Sequence, residues 1–259
     1  TQEVIDKLNE AISELQDTTT TQDLENLKEQ YDKELSDLQL EAYKNQGINE
    51  LENFAVQPRS EAIQDLIDDV KNKINESTTS SEINDLVNEY KDKILNQKKD
   101  EVENELESYV PEPRSEAIEH LLDEAQSAIE NATTPEVLND ILDQYKDSLL
   151  QQSQEEAKTK IDTYLQKPYS SSVSNMIDGA HININNSANP SDLKSFIDQT
   201  LNELLDQYKN ELITSIESQK NESTSHEVNE LVDQARDEIQ NATSPSESKE
   251  KYDGFINLI

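Results

Sequence analysis

The sequence predicts an all-α fold: tandem helical repeats of about 55 residues, forming an elongated rod of three-helix bundles. Three observations carry this expectation. The composition is too poor in apolar residues for one thick core, a four-position apolar stripe recurs five times, and a polar breaker follows every copy. Apolar residues make up 32%, against about 45–50% in ordinary domains. Trp and Cys are absent, and Phe and Gly occur three times each. Charged residues at 31%, with few turn formers, suit helices carrying narrow apolar stripes.

The repeat is found by self-comparison. Val4, Leu8, Ala11 and Leu15 are spaced 0, 4, 7 and 11, which follows one face of an α-helix. The pattern returns as Ile63, Ile67, Val70, Ile74 and as Ile118, Leu122, Ala125, Ile129. Two further copies read Val173, Ile177, Ala180, Ile184 and Val228, Val232, Ala235, Ile239. Successive anchors lie 59, 55, 55 and 55 residues apart. The third position is small in four copies, which suits close approach of a neighbouring helix. The breakers that follow, at 17–21, 76–81, 131–135, 185–190 and 241–245, are rich in Ser, Thr, Asn and Pro. These residues cap or open helices, so each short helix stops and another begins.

Repeat 1 (residues 1–59) is assigned a short helix over 3–16 and a long one over 22–55. Repeat 2 (60–114) pairs 61–75 with 82–110, and repeat 3 (115–169) pairs 116–130 with 136–166. Repeat 4 (170–224) pairs 172–185 with 191–220, and a partial repeat 5 (225–259) pairs 226–240 with a truncated helix over 246–259. The long helices rest on a second stripe: Leu24, Leu27, Tyr31, Leu35, then Ile83, Leu86, Tyr90, Ile94, then Leu138, Ile141, Tyr145, Leu149. Its fourth copy is Leu193, Phe196, Thr200, Leu204, and in the fifth Ser248 and Lys251 precede Phe255 and Ile259. Apolar residues continue through Val102, Leu106, Tyr109 and Val110, so 82–110 reads as one helix of roughly 42 Å at about 1.5 Å per residue.

The four extra residues of repeat 1 lie between Tyr31 and Leu51. They add just over one helical turn and nearly keep the phase of the stripe, which favours a continuous helix; a break at Gly47 is the alternative. Turns at 56–60, 111–115 and 167–170 reverse the chain. A short helix then lies along the second half of one long helix and beside the start of the next. The result is spectrin-like connectivity, with long helices shared between neighbouring bundles and each unit stabilised by its neighbours. Bundles are expected to centre on the short helices from the second onward, leaving the first with fewer partners. Repeat 4 is expected to be weakest, because Gly179 sits mid-helix among several Asn and β-branched residues.

Residues 124–150, EAQSAIENATTPEVLNDILDQYKDSLL, are echoed by 233–252, DQARDEIQNATSPSESKEKY. The shared Ala-x-x-x-Ile-x-x-Ala-Thr pattern before a second helix resembles three-helix repeats of Gram-positive cell-wall proteins. It is similar to the extracellular-matrix-binding repeat type and, more distantly, to the albumin-binding GA module. With its degenerate copies the resemblance spans nearly the whole chain. It implies an extracellular, cell-surface location and a stalk or adhesive role. It assigns no binding residue in this sequence.

Net charge of −35 opposes nucleic-acid binding and docking on anionic membranes, and keeps exposed copies apart. No apolar run approaches the roughly 20 residues of a membrane span, so membrane insertion is not expected. Residues 1–8 do not read as a signal peptide, so an exported chain would be a mature fragment. His120, His181 and His226 fall at unrelated repeat positions, and no calcium loop, phosphate loop or nucleophile motif occurs. Catalytic, cofactor and metal residues are therefore assigned to none, and no enzyme activity is expected. Tyr31, Tyr90 and Tyr145 fall at core phase, with hydroxyls expected to reach solvent. Arg59 and Arg114 belong to a repeated Pro-Arg-Ser turn in which Ser60 and Ser115 are expected to cap helices, with an interaction with acidic surroundings as a second reading. Five Asn-x-Ser/Thr sequons, at Asn75, Asn131, Asn185, Asn221 and Asn241, cluster near turns. The function expected is a structural spacer or stalk whose partners are neighbouring repeats. An adhesive array binding an unknown protein and a self-assembling filament subunit are the alternatives.

Overall fold

The computed structural model describes residues 2–167, 170–220 and 225–258. Pro168, Tyr169, Asn221 and Ile259, on which parts of the sequence reading fall, lie outside them. The described residues form ten helices and no strand, so the fold is all-α. In chain order they are α1 (Gln2–Asp17), α2 (Thr21–Phe54), α3 (Glu61–Glu76), α4 (Ser80–Tyr109) and α5 (Glu116–Asn131). There follow α6 (Pro135–Asp162), α7 (Ser171–Asn185), α8 (Pro190–Glu217), α9 (His226–Asn241) and α10 (Pro245–Ile256).

Each start has a local cause. The first turn of a helix leaves N–H groups without partners, and a short polar side chain just ahead of it accepts one. Thr20 accepts from Asp23 N–H at 3.2 Å, Asn189 from Asp192 N–H at 2.8 Å and Ser244 from Glu247 N–H at 3.2 Å. At α4 the exchange is reciprocal: Thr79 Oγ1 accepts the Glu82 N–H, and Glu82 Oε2 accepts the Thr79 N–H, both at 3.2 Å. Pro135, Pro190 and Pro245 occupy the first helical position of α6, α8 and α10, where a missing N–H costs nothing.

The long helix expected over 22–55 is unbroken, since α2 runs through Gly47 without interruption. It has 34 residues against 30 in α4, so the four-residue insertion is one added helical turn. Gly47 serves close approach instead of a bend. A Cβ there would sit 3.0 Å from Ile83 Cγ2 and 3.1 Å from Val87 Cγ2. Two long helices end earlier than the stripes suggest, α6 at Asp162 rather than 166 and α8 at Glu217 rather than 220. Side-chain hydroxyls bond to backbone carbonyls at both ends. Thr163 Oγ1 donates to Thr159 O at 2.7 Å, and Ser218 Oγ donates to Ser215 O at 2.6 Å. Past α6 the chain leaves the helix with Leu165 still buried.

The molecule divides into two compact units, Thr1–Glu105 with Glu124–Asp143, and Leu106–Asp123 with Gln144–Ile259. The main core of the first unit draws on three helices. Leu51 comes from α2 and Ala55 from just beyond its end, Ile63, Ile67, Val70 and Ile74 from α3, and Ile83, Val87, Tyr90 and Ile94 from α4. In the second unit one core joins Ala157 and Ile161 of α6 and Leu165 beyond it to Val173, Ile177, Ala180 and Ile184 of α7 and to Leu193 and Leu204 of α8. A further core in the same unit joins Ile216 of α8 to Val232 and Ala235 of α9 and Phe255 of α10. Helix α8 thus contributes its first half to one core and its last turn to the next.

Among the described residues, the α1–α2 hairpin lacks a third wall. Its four-position stripe buries only Ala11, and Leu8 and Leu24 remain 43% and 44% exposed. The matching residues of the α3–α4 pair, Ile67 and Ile83, are 0% and 1% exposed.

Glycine substitutions separate local from tertiary effects. A Cβ added at Gly179 would meet nothing within 4 Å, so Gly179→Ala is expected to raise stability by about 0.5–1 kcal/mol through helix propensity alone. Gly47→Leu is expected to lower it by about 1–3 kcal/mol, because Ile83 and Val87 block the added methyls. Urea unfolding followed by circular dichroism reads both.

Candidate functional site

The most elaborate polar site is the turn that joins a long helix to the next short one. In the Gln57–Arg59 segment, Arg59 folds back on the end of α2. Its Nε donates to Ala55 O, while Nη1 and Nη2 donate to the Glu52 carboxylate and the Glu52 carbonyl. The guanidinium therefore answers two carbonyls left without partners at a helix C-terminus and pairs with a carboxylate one helical face away. Arg114 repeats the arrangement: Nε donates to Val110 O at 3.1 Å, Nη1 to Glu107 Oε2 at 2.7 Å, and Nη2 to the Glu107 carbonyl. The proline before each arginine follows a cis peptide bond, Gln57–Pro58 and Glu112–Pro113.

The serine after each arginine caps the following helix, as its place in the sequence indicates. Ser60 Oγ accepts from Ile63 N–H at 3.2 Å, and Ser115 Oγ accepts from Ile118 N–H at 3.1 Å. The same hydroxyl donates to a glutamate on the next long helix: Ser60 to Glu101, Ser115 to Glu156 and Ser170 to Glu211. A glutamine one turn earlier (Gln97, Gln152 or Gln207) donates to that glutamate at 2.8–2.9 Å. Each cap is thus tied to a helix 41 residues further along.

Lysines close the other end of the short helices. Lys44 Nζ donates to Asn75 O at 2.8 Å, Lys99 to Glu130 O at 2.7 Å and Lys209 to Gln240 O at 3.1 Å. Lys209 is buried and spends its charge on that helix end. Position 154 holds Gln, which donates instead to Ser187 O at 3.3 Å. Apolar spacing and motif matching pass over these glutamates and lysines. Their signal is recurrence of residue type every 55 residues: Lys44, Lys99 and Lys209, Glu101, Glu156 and Glu211, Glu52 and Glu107. The same register confines the inserted turn of α2 to residues between Leu35 and Lys44.

The core-phase tyrosines pack as expected at two positions. Tyr31 and Tyr90 are buried, and Tyr145 is half-buried. The Tyr90 hydroxyl does not simply meet solvent: it donates to Asp69 and accepts from Lys73, while Lys93 lies 4.2 Å from the ring centroid. Lys73 and the Tyr90 hydroxyl hold the Asp69 carboxyl below its ordinary value. Burial pushes the Tyr31 hydroxyl up to about 12, and Lys7 stands over its ring while pairing with Glu34 at 2.7 Å.

The remaining candidates stay dispersed. His181 Nε2 lies 3.0 Å from Asp162 Oδ1, and His226 Nε2 lies 3.1 Å from Glu230 Oε1. No group of three or more His, Asp or Glu suited to a metal ion forms among the described residues. No helix of the described residues is long and apolar enough to cross a membrane. In the second unit a groove of about 400 Å³ is lined by Val110, Pro113, Ala157, Leu193 and Ile197. Its cations are engaged, Lys160 with Asp198 at 3.7 Å and Lys194 with the Glu112 carbonyl. Ser115 at its edge is committed to helix capping, its hydroxyl donating to the Glu156 carboxylate. Of the described sequon residues, Asn75, Asn131, Asn185 and Asn241 are exposed in the last two residues of α3, α5, α7 and α9. Asn131 and Asn241 spend their side-chain N–H on carbonyls four residues back.

No family model, no curated protein and no solved structure matches this chain.

The turn makes an acid-dependent contribution to stability. Lys71 and Arg59 hold the Glu52 carboxyl below its ordinary value of 4.5. A carboxylate with a depressed pKa stabilises fully above its unfolded pKa, and that stabilisation is lost as pH falls through the folded value. Glu52→Gln is expected to cost about 1 kcal/mol at pH 7, with the gap to the parent closing as pH drops below 4.5. Arg59→Ala also releases two helix-end carbonyls and is expected to cost about 1–3 kcal/mol. Thermal melts across pH 3–7 test both.

Proposed function

We propose that this chain is a non-enzymatic spacer or stalk segment of a surface-exposed repeat protein. It is read as a rod of three-helix bundles in which neighbouring bundles share long helices, with spectrin-like connectivity. The observation that carries this reading is α8. One uninterrupted helix supplies Leu193 and Leu204 to one core and Ile216 to the next, so the bundles it joins have no flexible linker between them. Stacked units of this kind are stabilised by their neighbours and transmit orientation along the chain.

Side-chain chemistry supports the same reading. The recurrent polar groups are spent on helix ends and turns: Arg59 and Arg114 on C-terminal carbonyls, Ser60, Ser115 and Ser170 on caps, and Lys44, Lys99 and Lys209 on short-helix ends. These are requirements of architecture, and they recur where exposed positions diverge. A net charge of −35 keeps such elongated molecules apart in solution. The resemblance of residues 124–150 to Gram-positive wall-protein repeats supports a cell-surface location and a stalk role.

Small-angle scattering tests the proposal on the intact chain. A compact chain of this length has a radius of gyration of about 18 Å. The expected result is a clearly larger radius with a skewed, long-tailed distance distribution. A symmetric distribution near the compact value overturns the spacer reading.

A further inference from the structure

We infer that the open face of the α1–α2 hairpin is a docking site for an α-helix of this chain's own second-half type, bearing lysine at one position and small or aliphatic residues three, seven and eleven positions later. This rests on the repeat reading above and adds the chemistry of the element that would cover the face.

The occupant's chemistry comes from the covered copies of the same face. Over α3–α4 the covering segment is the end of α2, with Lys44 followed by Gly47, Leu51 and Ala55. Over α7–α8 it is Gln154 followed by Ala157, Ile161 and Leu165, and over α9–α10 it is Lys209 followed by Leu212 and Ile216. The residues that meet the covering helix at Gly47 are Ile83, Val87 and Ile74. Their counterparts 59 residues earlier are Leu24, Lys28 and Leu15. Leu24 is exposed, Lys28 is exposed and Leu15 is only half-buried. The hairpin therefore presents the acceptor half of a contact that is complete elsewhere in the first unit.

Two polar features point to the same occupant. Helix α1 has no basic residue in its last turn, and the Gln16 carbonyl stands where the Asn75 carbonyl receives Lys44. A lysine arriving on the docking helix would close that end. Lys28, in place of Val87, adds a cation beside the apolar floor. It complements an acidic segment such as 100–107, DEVENELE, which carries the required apolar spacing after Lys99. A second copy of the whole chain fits less well, because the segments with this pattern in the two units' three-helix cores already cover faces of their own.

The test supplies the helix in cis. Residues 94–114 are appended directly ahead of Thr1, which places Arg114 before Thr1 as Arg59 precedes Ser60. Hydrogen exchange is then compared with the parent chain at about 150 mM salt, where the screening length is about 8 Å. The expected result is at least tenfold slower exchange over residues 2–35, with no change over α7–α10. A control fusion carrying Asp at the appended positions copied from Val102 and Leu106 should give no protection. In a further control, Leu8→Glu with Leu24→Glu should abolish the protection; both side chains are exposed, so the parent fold tolerates the change. Unaltered exchange with the first fusion, or equal protection with the Asp control, overturns the inference. Sedimentation showing that the unfused chain dimerises, with the dimer lost in the Leu8→Glu, Leu24→Glu variant, also overturns it by assigning the face to a second copy. The scattering experiment on the unfused chain reads the rod independently, so the two failures are distinguishable.

Discussion

A sixteen-residue helix with four apolar residues on one face needs two neighbours to bury that face, and this requirement organises the molecule. The contrast between α3 and α1 makes the point with nearly identical patterns. Ile63, Ile67, Val70 and Ile74 lie between two long helices and are almost fully buried. Val4, Leu8, Ala11 and Leu15 have one long helix beside them, and only Ala11 is buried. Amphipathic periodicity specifies a helix and its inward face, but the number of surrounding helices decides how much of that face leaves water.

The polar residues answer the second demand, which is to satisfy helix ends without thick cores to hide them. At the connections through Arg59 and Arg114 a different device serves each terminus. Serine caps the entering helix, arginine gathers the carbonyls of the departing one, and lysine from a long helix closes the end of the short one. The chain has 22 Lys and Arg against 57 Asp and Glu, and several of these scarce cations hold such structural posts. Their carboxylate partners are then held charged by geometry, as Glu52 is by Lys71 and Arg59. Most of the remaining carboxylates lie on exposed helical faces, where their repulsion favours dispersion over association.

Much of the fold is legible because helices report their own period. The stripes at 63–74 and 83–94, the Thr- and Pro-rich breakers and the caps at Ser60 and Ser115 follow from local chemistry and appear where that chemistry puts them. The partners of those caps are not legible by the same route. Glu101 bonds to Ser60 across 41 residues, and nothing about a glutamate on an acidic helix marks it as different from its neighbours. Recurrence of type at a fixed interval is the one signal, and it is diluted by the abundance of Glu along the chain. The end of α6 escapes the periodicity for another reason: apolar spacing continues past it to Leu165, which is buried outside the helix.

The sequence by itself determined that this protein is helical, where each short helix begins and ends, and which face of it is apolar, because those properties depend on residues within one or two turns. Only the tertiary structure decided that α2 runs unbroken through Gly47, and it explained why glycine stands there: the side chains of Ile83 and Val87 occupy the space a Cβ would need. It also decided which stripes are satisfied and which remain open, since burial depends on neighbours that no local pattern contains. That is why two matching stripes, at Leu8 and at Ile67, end in opposite environments.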